Sequence, residues 1–373
     1  MRSPRLASLR GLIVLLVCLA LLAIAALGGF GVYYSNQLLN VSHKADPYGL
    51  RILEVTAKSV TLPRNADTER PGTYGLAWRN GSAVVGAITA RTATAVARQV
   101  QGSPPPVGTA ARLVTGVWLG DPQATRGLAY RDVTYASPVG RMPAWYVPGS
   151  KRTWVVAVHG RGSNRQEPLR ILPTLHRLGL PVLDISYRND LGAPPETDRI
   201  YHLGDREWRD VEAAVTYAVS KGAQRIVLYG WSMGGALIDA FLQRSAVAPK
   251  VTAVVLDAPV LDWRATLALQ GKNRGLPLLL TATAEQIVRW RIGIRWSDFD
   301  LDDHPTQLTR PTLIFHGEAD ASVPVGPARR LAEAAAPKVV FVPVPFAGHT
   351  QSWNVNPAQY ERQVTAFLRP YAR

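Results

Sequence analysis

The sequence predicts an α/β body built on an open, mixed sheet of eight strands, preceded by one membrane-spanning helix and a β-rich extension. Three observations lead there. Residues 11–34 form an uncharged apolar run, short apolar runs alternate with helical patterns from about residue 128 onward, and a Gly-Trp-Ser-Met-Gly turn stands where one such strand gives way to a helix. The chain has 373 residues, 47% hydrophobic and 18% charged, which gives room for one large or two modest globular domains. That balance excludes an intrinsically disordered chain and a multi-pass membrane protein.

The apolar run comes first. At about 1.5 Å per residue it reaches roughly 36 Å, enough for a hydrocarbon layer of ~30 Å. Thirteen of its positions are Leu, Ile, Val or Phe, each favouring insertion by about 0.3–0.6 kcal/mol. Arg2, Arg5 and Arg10 precede it, and basic flanks stay on the cytoplasmic side. Residues 1–10 are then a cytoplasmic tail, 11–34 a transmembrane helix, and the rest faces outward. The alternative is a secreted body, released by cleavage after Ala23-Ile24-Ala25. The anchor is the preferred reading, because apolar residues continue past that tripeptide to Tyr34. The one cysteine, Cys18, lies within this run behind the bulky Val17; it can make no intrachain disulfide, holds no zinc cluster and is a poor lipidation site.

The net charge of +15 is concentrated toward the N-terminus: residues 44–152 hold 14 basic against 6 acidic side chains, and residues 153–373 hold 25 against 21. The basic residues are scattered singly, without interleaved aromatics or a reading module, so no nucleic-acid partner is expected. Near anionic lipid each would contribute about 1 kcal/mol.

Residues 35–127 are expected to form a β-rich extension of short strands and loops. Within it, 74–78 and 83–88 flank Arg79-Asn80-Gly81, a hairpin in which Asn-Gly should supply positive φ values. The triple proline at 104–106 marks a loop. In the body, residues 128–373, strands are expected at 133–136, 144–147, 154–158, 182–185, 225–229, 253–256, 312–315 and 339–342. Helices are expected at 168–178, 205–219, 233–244, 325–335 and 357–368. The stretch 263–305 interrupts this rhythm as an insertion. Its Trp263, Trp290 and Trp296, with 276–280, would line or cover an apolar pocket or form the insertion's own core. Its acidic cluster 298–303 lacks the glycine and the closing glutamate of a calcium loop and reads as a solvated turn.

The chemistry centres on Gly230-Trp231-Ser232-Met233-Gly234. A serine on so sharp a strand-to-helix turn needs neighbours without Cβ atoms, which Gly230 and Gly234 are, and the helix that follows aims unpaired N–H groups at the hydroxyl. A base must take the hydroxyl proton. Of seven histidines, His349 alone sits on a Gly-bearing loop after the last strand and before the last helix, at the sheet end where the serine emerges. Asp320, on the loop after 312–315, is the carboxylate expected to orient it; Glu318 and Asp257 are its competitors. An oxyanion needs donors: the Met233 N–H and the Arg161 N–H from His159-Gly160-Arg161-Gly162, with Gly160 as the fallback. No metal motif, Walker loop or dinucleotide fingerprint occurs, so no metal or cofactor is expected.

With these residues the body resembles the α/β-hydrolase superfamily of serine hydrolases over about 128–373, in the order Ser232, Asp320, His349. The resemblance implies a mostly parallel eight-stranded sheet with helices on both faces, a cap at 263–305, and an acyl-enzyme mechanism without cofactor. Arg161 stands where many lipases carry a second glycine, which argues less for a lipase than for hydrolysis in general. The expected activity is cleavage of carboxylic esters or thioesters, on a small-molecule or lipid-like acyl substrate. A serine peptidase of prolyl-oligopeptidase-like or aminopeptidase type, or a non-catalytic binding protein on the same fold, are the alternatives.

Overall fold

The computed structural model describes residues 4–372 apart from 45, 302, 306 and 307; Asp302 of the acidic cluster therefore lies outside the described residues. The N-terminal helix spans Pro4–Leu39, five residues beyond the apolar run. The extra turn forms because Leu38 and Leu39 are buried in the body's core, so packing extends what hydropathy alone would end. Between residues 11 and 26 the helix is exposed all round, as a segment without protein neighbours must be.

Seven strands follow in one sheet: β1 (Leu50–Arg51), β2 (Glu54–Val55), β3 (Ser59–Pro63), β4 (Tyr74–Trp78), β5 (Gly81–Arg91), β6 (Ala95–Gln101) and β7 (Ala110–Val114). Their order is β1-β7-β4-β5-β6-β3-β2, and every pairing is antiparallel. One face is covered by Ile52, Val60, Leu62, Leu76 and Val85, which form a small core of their own. The β4–β5 hairpin forms, but not through the turn chemistry expected of it. Trp78 pairs with Gly81, so Arg79 and Asn80 make the turn, and neither Asn80 nor Gly81 has a positive φ. Gly81 is needed for room instead: a Cβ there would lie 2.7 Å from the Trp78 indole.

The second sheet contains β8 (Arg131–Ser137), β9 (Gly140–Val147), β10 (Thr153–Val158), β11 (Val182–Ile185), β12 (Arg225–Trp231), β13 (Val251–Asp257), β14 (Thr312–Gly317) and β15 (Val339–Val344). Its order is β15-β14-β13-β12-β10-β11-β9-β8. Pairings from β11 through β15 are parallel, and β8 and β9 are antiparallel additions at one edge. Along β10 the side chains alternate between two cores. Val156 and Val158 face the helices Trp208–Ser220 and Met233–Arg244, while Val155 and Ala157 face Leu172–Arg177 and Pro357–Leu368. Near-continuous apolar strands are what a sheet covered on both faces requires.

Where the sequence pattern suggests one helix at 168–178, the chain makes a 3-10 turn, Glu167–Arg170, and a short helix, Leu172–Arg177. Pro168 and Pro173 each lack the N–H that a continuous helix would use. The insertion between β13 and β14 is a helix pair, Trp263–Asn273 and Leu278–Ile292. Trp263 is buried in the body's core and donates its indole N–H to the Leu203 carbonyl at 2.9 Å. Trp296 packs against the same core, whereas Trp290 faces outward, so two of the three tryptophans join the body's core. In the acidic cluster, Asp298 is bound by Arg244 and Arg295 at 2.9 and 3.0 Å.

Candidate active site

Ser232 sits between the end of β12 and the first residue of Met233–Arg244 with φ 50° and ψ −119°, a conformation that costs a non-glycine residue on the order of 1–3 kcal/mol. Its surroundings hold it there. Its N–H donates to the Asp257 carbonyl at 3.1 Å, and its own carbonyl accepts from Gly235 and Val260 at 2.9 and 3.0 Å. Gly230 and Gly234 face one another across the turn: a Cβ on Gly230 would meet Gly234 at 3.1 Å, and one on Gly234 would collide with the Val158 carbonyl oxygen. These two glycines let β12 and the helix approach β10 closely enough to lift the serine above the sheet.

At that sheet end the three distant side chains meet. His349 Nε2 lies 2.8 Å from Ser232 Oγ, and His349 Nδ1 lies 2.8 Å from Asp320 Oδ2. The other oxygen of Asp320 accepts from Ser322 and Val323 N–H at 2.8 and 2.9 Å. Burial pushes the Asp320 carboxyl up, but bonds from His316 and His349 outweigh it and hold it well below the usual carboxylate range. It is a fixed anion. The competing carboxylates are elsewhere: Glu318 reaches Arg329 at 3.4 Å, and Asp257 is buried, bonded by the Ser352 hydroxyl at 2.6 Å and pushed up by that burial to about 6.

The loop after β10 supplies the other side. The Gly160 N–H already donates to Glu167 Oε2 at 2.8 Å, so the fallback donor is spent. The Gly160 carbonyl accepts from His159 Nδ1 at 2.9 Å and from Tyr187 Oη at 3.1 Å. C=O and N–H of a trans peptide point in opposite directions, so holding that carbonyl turns the Arg161 N–H the other way. Met233 opens its helix, where the first N–H groups have no intrahelical acceptor.

His159 is fully buried, and both its nitrogens face acceptors, because Nε2 lies 2.8 Å from Asp190 Oδ2. Burial lowers its pKa, yet the Asp190 charge, the bond to it and the Gly160 carbonyl raise it to about 9. That is above the ordinary ~6.5. The pair therefore stabilises the fold fully below pH ~6.5, and this contribution is lost as pH rises through about 9. Thermal melting between pH 7 and 10 is expected to show a steeper fall in Tm for the native chain than for His159→Asn; parallel curves would refute the charged pair.

A cleft of about 450 Å³ opens beside Ser232 and His349. Its lining includes the loop carrying Gly160 and Arg161 and, from the β-rich extension, Val114, Thr115 and Trp118. The same extension braces the histidine loop. Asn354 accepts from Thr73 N–H through its carbonyl at 2.9 Å, and its side-chain amide donates to the Thr73 and Thr115 carbonyls at 2.7 and 2.9 Å. From below, the buried Arg170 donates to the Thr350 carbonyl at 2.6 Å and to Asn354 Oδ1 at 2.9 Å. Arg170, Glu167, Tyr187 and Asp190 escape sequence reasoning. A charged residue inside an apolar stretch, as in Leu169-Arg170-Ile171, is the one available signal.

Among known families, the model of the prolyl oligopeptidase family matches residues 196–373, and that of a domain of unknown function, DUF8805, matches residues 51–114. An uncharacterized protein of Mycobacterium tuberculosis is 27% identical over 234 residues, covering 59% of this chain and 73% of that one. Human protein ABHD12B is 28% identical over 194 residues, covering 48% and 49%. Among solved structures, the Pyrococcus furiosus esterase Pf2001 superposes with a TM-score of 0.55 at 20% identity, over 68% of this chain and 96% of its own. An alpha-beta hydrolase from Vibrio vulnificus gives 0.51 at 21% identity, over 64% and 81%. The chain has the α/β-hydrolase fold, preceded by an apolar helix and an antiparallel β extension.

Proposed function

We propose that this protein is a serine hydrolase that cleaves carboxylic esters or thioesters with an apolar acyl group, held at a membrane by its N-terminal helix with the body, residues 128–373, on the outer side. The observation that carries the reading is the unbroken line from Asp320 through His349 to Ser232, both links 2.8 Å. In it His349 takes the proton as Ser232 Oγ attacks the acyl carbon, and Asp320 fixes the tautomer and stabilises the imidazolium. The N–H groups of Met233 and Arg161 receive the oxyanion. The leaving alcohol or thiol takes the proton from His349, and water repeats the sequence to release the acid. No cofactor or metal enters this scheme.

The apolar residues continue past Ala23–Ala25 to Tyr34, which supports anchoring over release. The three basic residues before the apolar run support the outward orientation. A serine peptidase is the second reading, favoured by the match to the prolyl oligopeptidase family. A purely binding role has no use for three aligned reactive groups. The test is a fluorophosphonate probe applied to the purified protein and to Ser232→Ala. Labelling is expected only in the former, and labelling that survives the substitution removes Ser232 from the mechanism. Faster turnover of acyl esters than of aminoacyl amides is expected, and the reverse selects the peptidase.

A further inference from the structure

The helix Leu278–Ile292 lies along the N-terminal helix and runs in the same direction. Thr283 and Ile287 close over Gly31, and Arg291 donates to Ser35 Oγ at 2.6 Å and Asn36 Oδ1 at 2.8 Å. A hydrocarbon layer of ~30 Å takes up about 20 helical residues. Counted from Gly11, the first residue after Arg10, these run to Phe30. The contact at Gly31 is therefore at the boundary of the bilayer, not above it. Leu278 precedes Ile287 by nine residues, about 13 Å along the axis, on the side of the membrane interior.

The exposure of the side chains follows that geometry. Leu278 and Leu279, at the tip, are 82% and 64% exposed; Trp290, one turn beyond Ile287, is 84% exposed, and Tyr33 of the N-terminal helix is 57% exposed. In water such leucines would each forgo about 1.5–3 kcal/mol of burial. In the arrangement here they fall on the hydrocarbon side of that boundary, with the exposed Lys272 and Arg274 of the same turn long enough to reach back to the headgroups, and Trp290 and Tyr33 fall at the interface, where aromatic side chains concentrate.

Between the N-terminal helix and the insertion's helix pair is a cavity of about 190 Å³, lined by Phe30, Leu280, Ala284 and Val288 and also by the polar Gln270, Arg274 and Glu285. Arg161 lines it and also borders the cleft of Ser232. We propose that this cavity is an acyl-chain site filled sideways from the leaflet in which the Leu278–Leu279 tip is seated, so that the substrate is a lipid ester resident in the bilayer. As a substrate site it rests on the hydrolase reading; as a lipid site it rests on the N-terminal helix crossing the bilayer.

The test uses the full chain in vesicles of palmitoyl-oleoyl phosphatidylcholine and phosphatidylglycerol. Bimane attached at Leu279→Cys, in a Cys18→Ser background, is expected to be quenched at least threefold more by doxyl groups on the acyl chains than by aqueous iodide; the opposite order overturns the seated tip. A phosphatidylcholine with a diazirine on its acyl chain is expected to cross-link within 276–288, and Ala284→Trp, which fills the cavity, is expected to reduce that adduct at least tenfold while the bimane signal persists. An undiminished adduct, or none in the native chain, overturns the site. Neither readout needs turnover, so loss of fluorophosphonate labelling at Ser232 would retire the hydrolase reading separately. In an active enzyme, Ala284→Trp also lowers the ratio of decanoyl to acetyl ester kcat/KM at least tenfold.

Discussion

Replacing Asp320 by Asn is expected to lower kcat on a soluble ester by about 10⁴-fold and, at neutral pH, to lower Tm as well, since the charge bound by His316 and His349 is lost. The reason lies in the direction of each bond. Ser322 and Val323 N–H both point at Oδ1, so an asparagine there keeps its carbonyl oxygen toward them and turns its amide NH₂ toward His349 Nδ1. That nitrogen must then accept, which forces the proton onto Nε2, the atom 2.8 Å from Ser232 Oγ. A protonated Nε2 cannot take the serine proton. The measurement is steady-state kinetics beside thermal melting, and a loss smaller than tenfold would mean that Asp320 does not orient the base. Because its carboxyl is held below the usual range, Asp320 stabilises the fold at pH above ~4, and this contribution is lost only as pH falls through its lowered pKa. The acidic limb of the rate profile should therefore come from another group.

Gly234→Ala is expected to cost at least about 3 kcal/mol of stability, a drop in Tm of roughly 6–12 °C for a domain of this size, together with most of the activity. The added methyl would collide with the Val158 carbonyl oxygen and lie 3.0 Å from that of His159. Both are backbone atoms of the strand end that carries the Gly160–Arg161 loop, so neither side can yield without moving Ser232 or the Arg161 N–H. Gly49→Ala is the control: nothing lies within 4 Å of its added Cβ, and its effect should remain within about 0.5 kcal/mol. Equal melting curves for the two variants would contradict the close approach of β10 and the elbow.

The elements best read from sequence are those whose signal is local. Met233–Arg244, Pro357–Leu368 and Val182–Ile185 begin and end where their patterns do, since a 3.6-residue period or a short apolar run between turn residues needs no distant partner. The Asn80-Gly81 turn shows where this stops. The dipeptide is a hairpin signal, yet the register of β4 on β5 and the Trp78 ring decide the turn actually formed. The Pro4–Leu39 helix likewise outruns its apolar stretch because its last residues enter a core assembled from elsewhere.

At the site the division is the same. The steric demand of Gly230-Trp231-Ser232-Met233-Gly234, the apolar run at 11–34, and the placement of Asp320 and His349 on loops after successive strands are all legible in one dimension. Each depends on a residue and its near neighbours. Which of Gly160 and Arg161 keeps a free N–H depends on Glu167, His159 and Tyr187. That the extension walls the cleft depends on Thr73 and Thr115 meeting Asn354, and that the insertion lies along the N-terminal helix depends on Gly31 meeting Ile287. Hydrogen bonds and van der Waals contacts act over only a few ångströms, so pairings between residues tens to hundreds of positions apart exist only once the chain has folded.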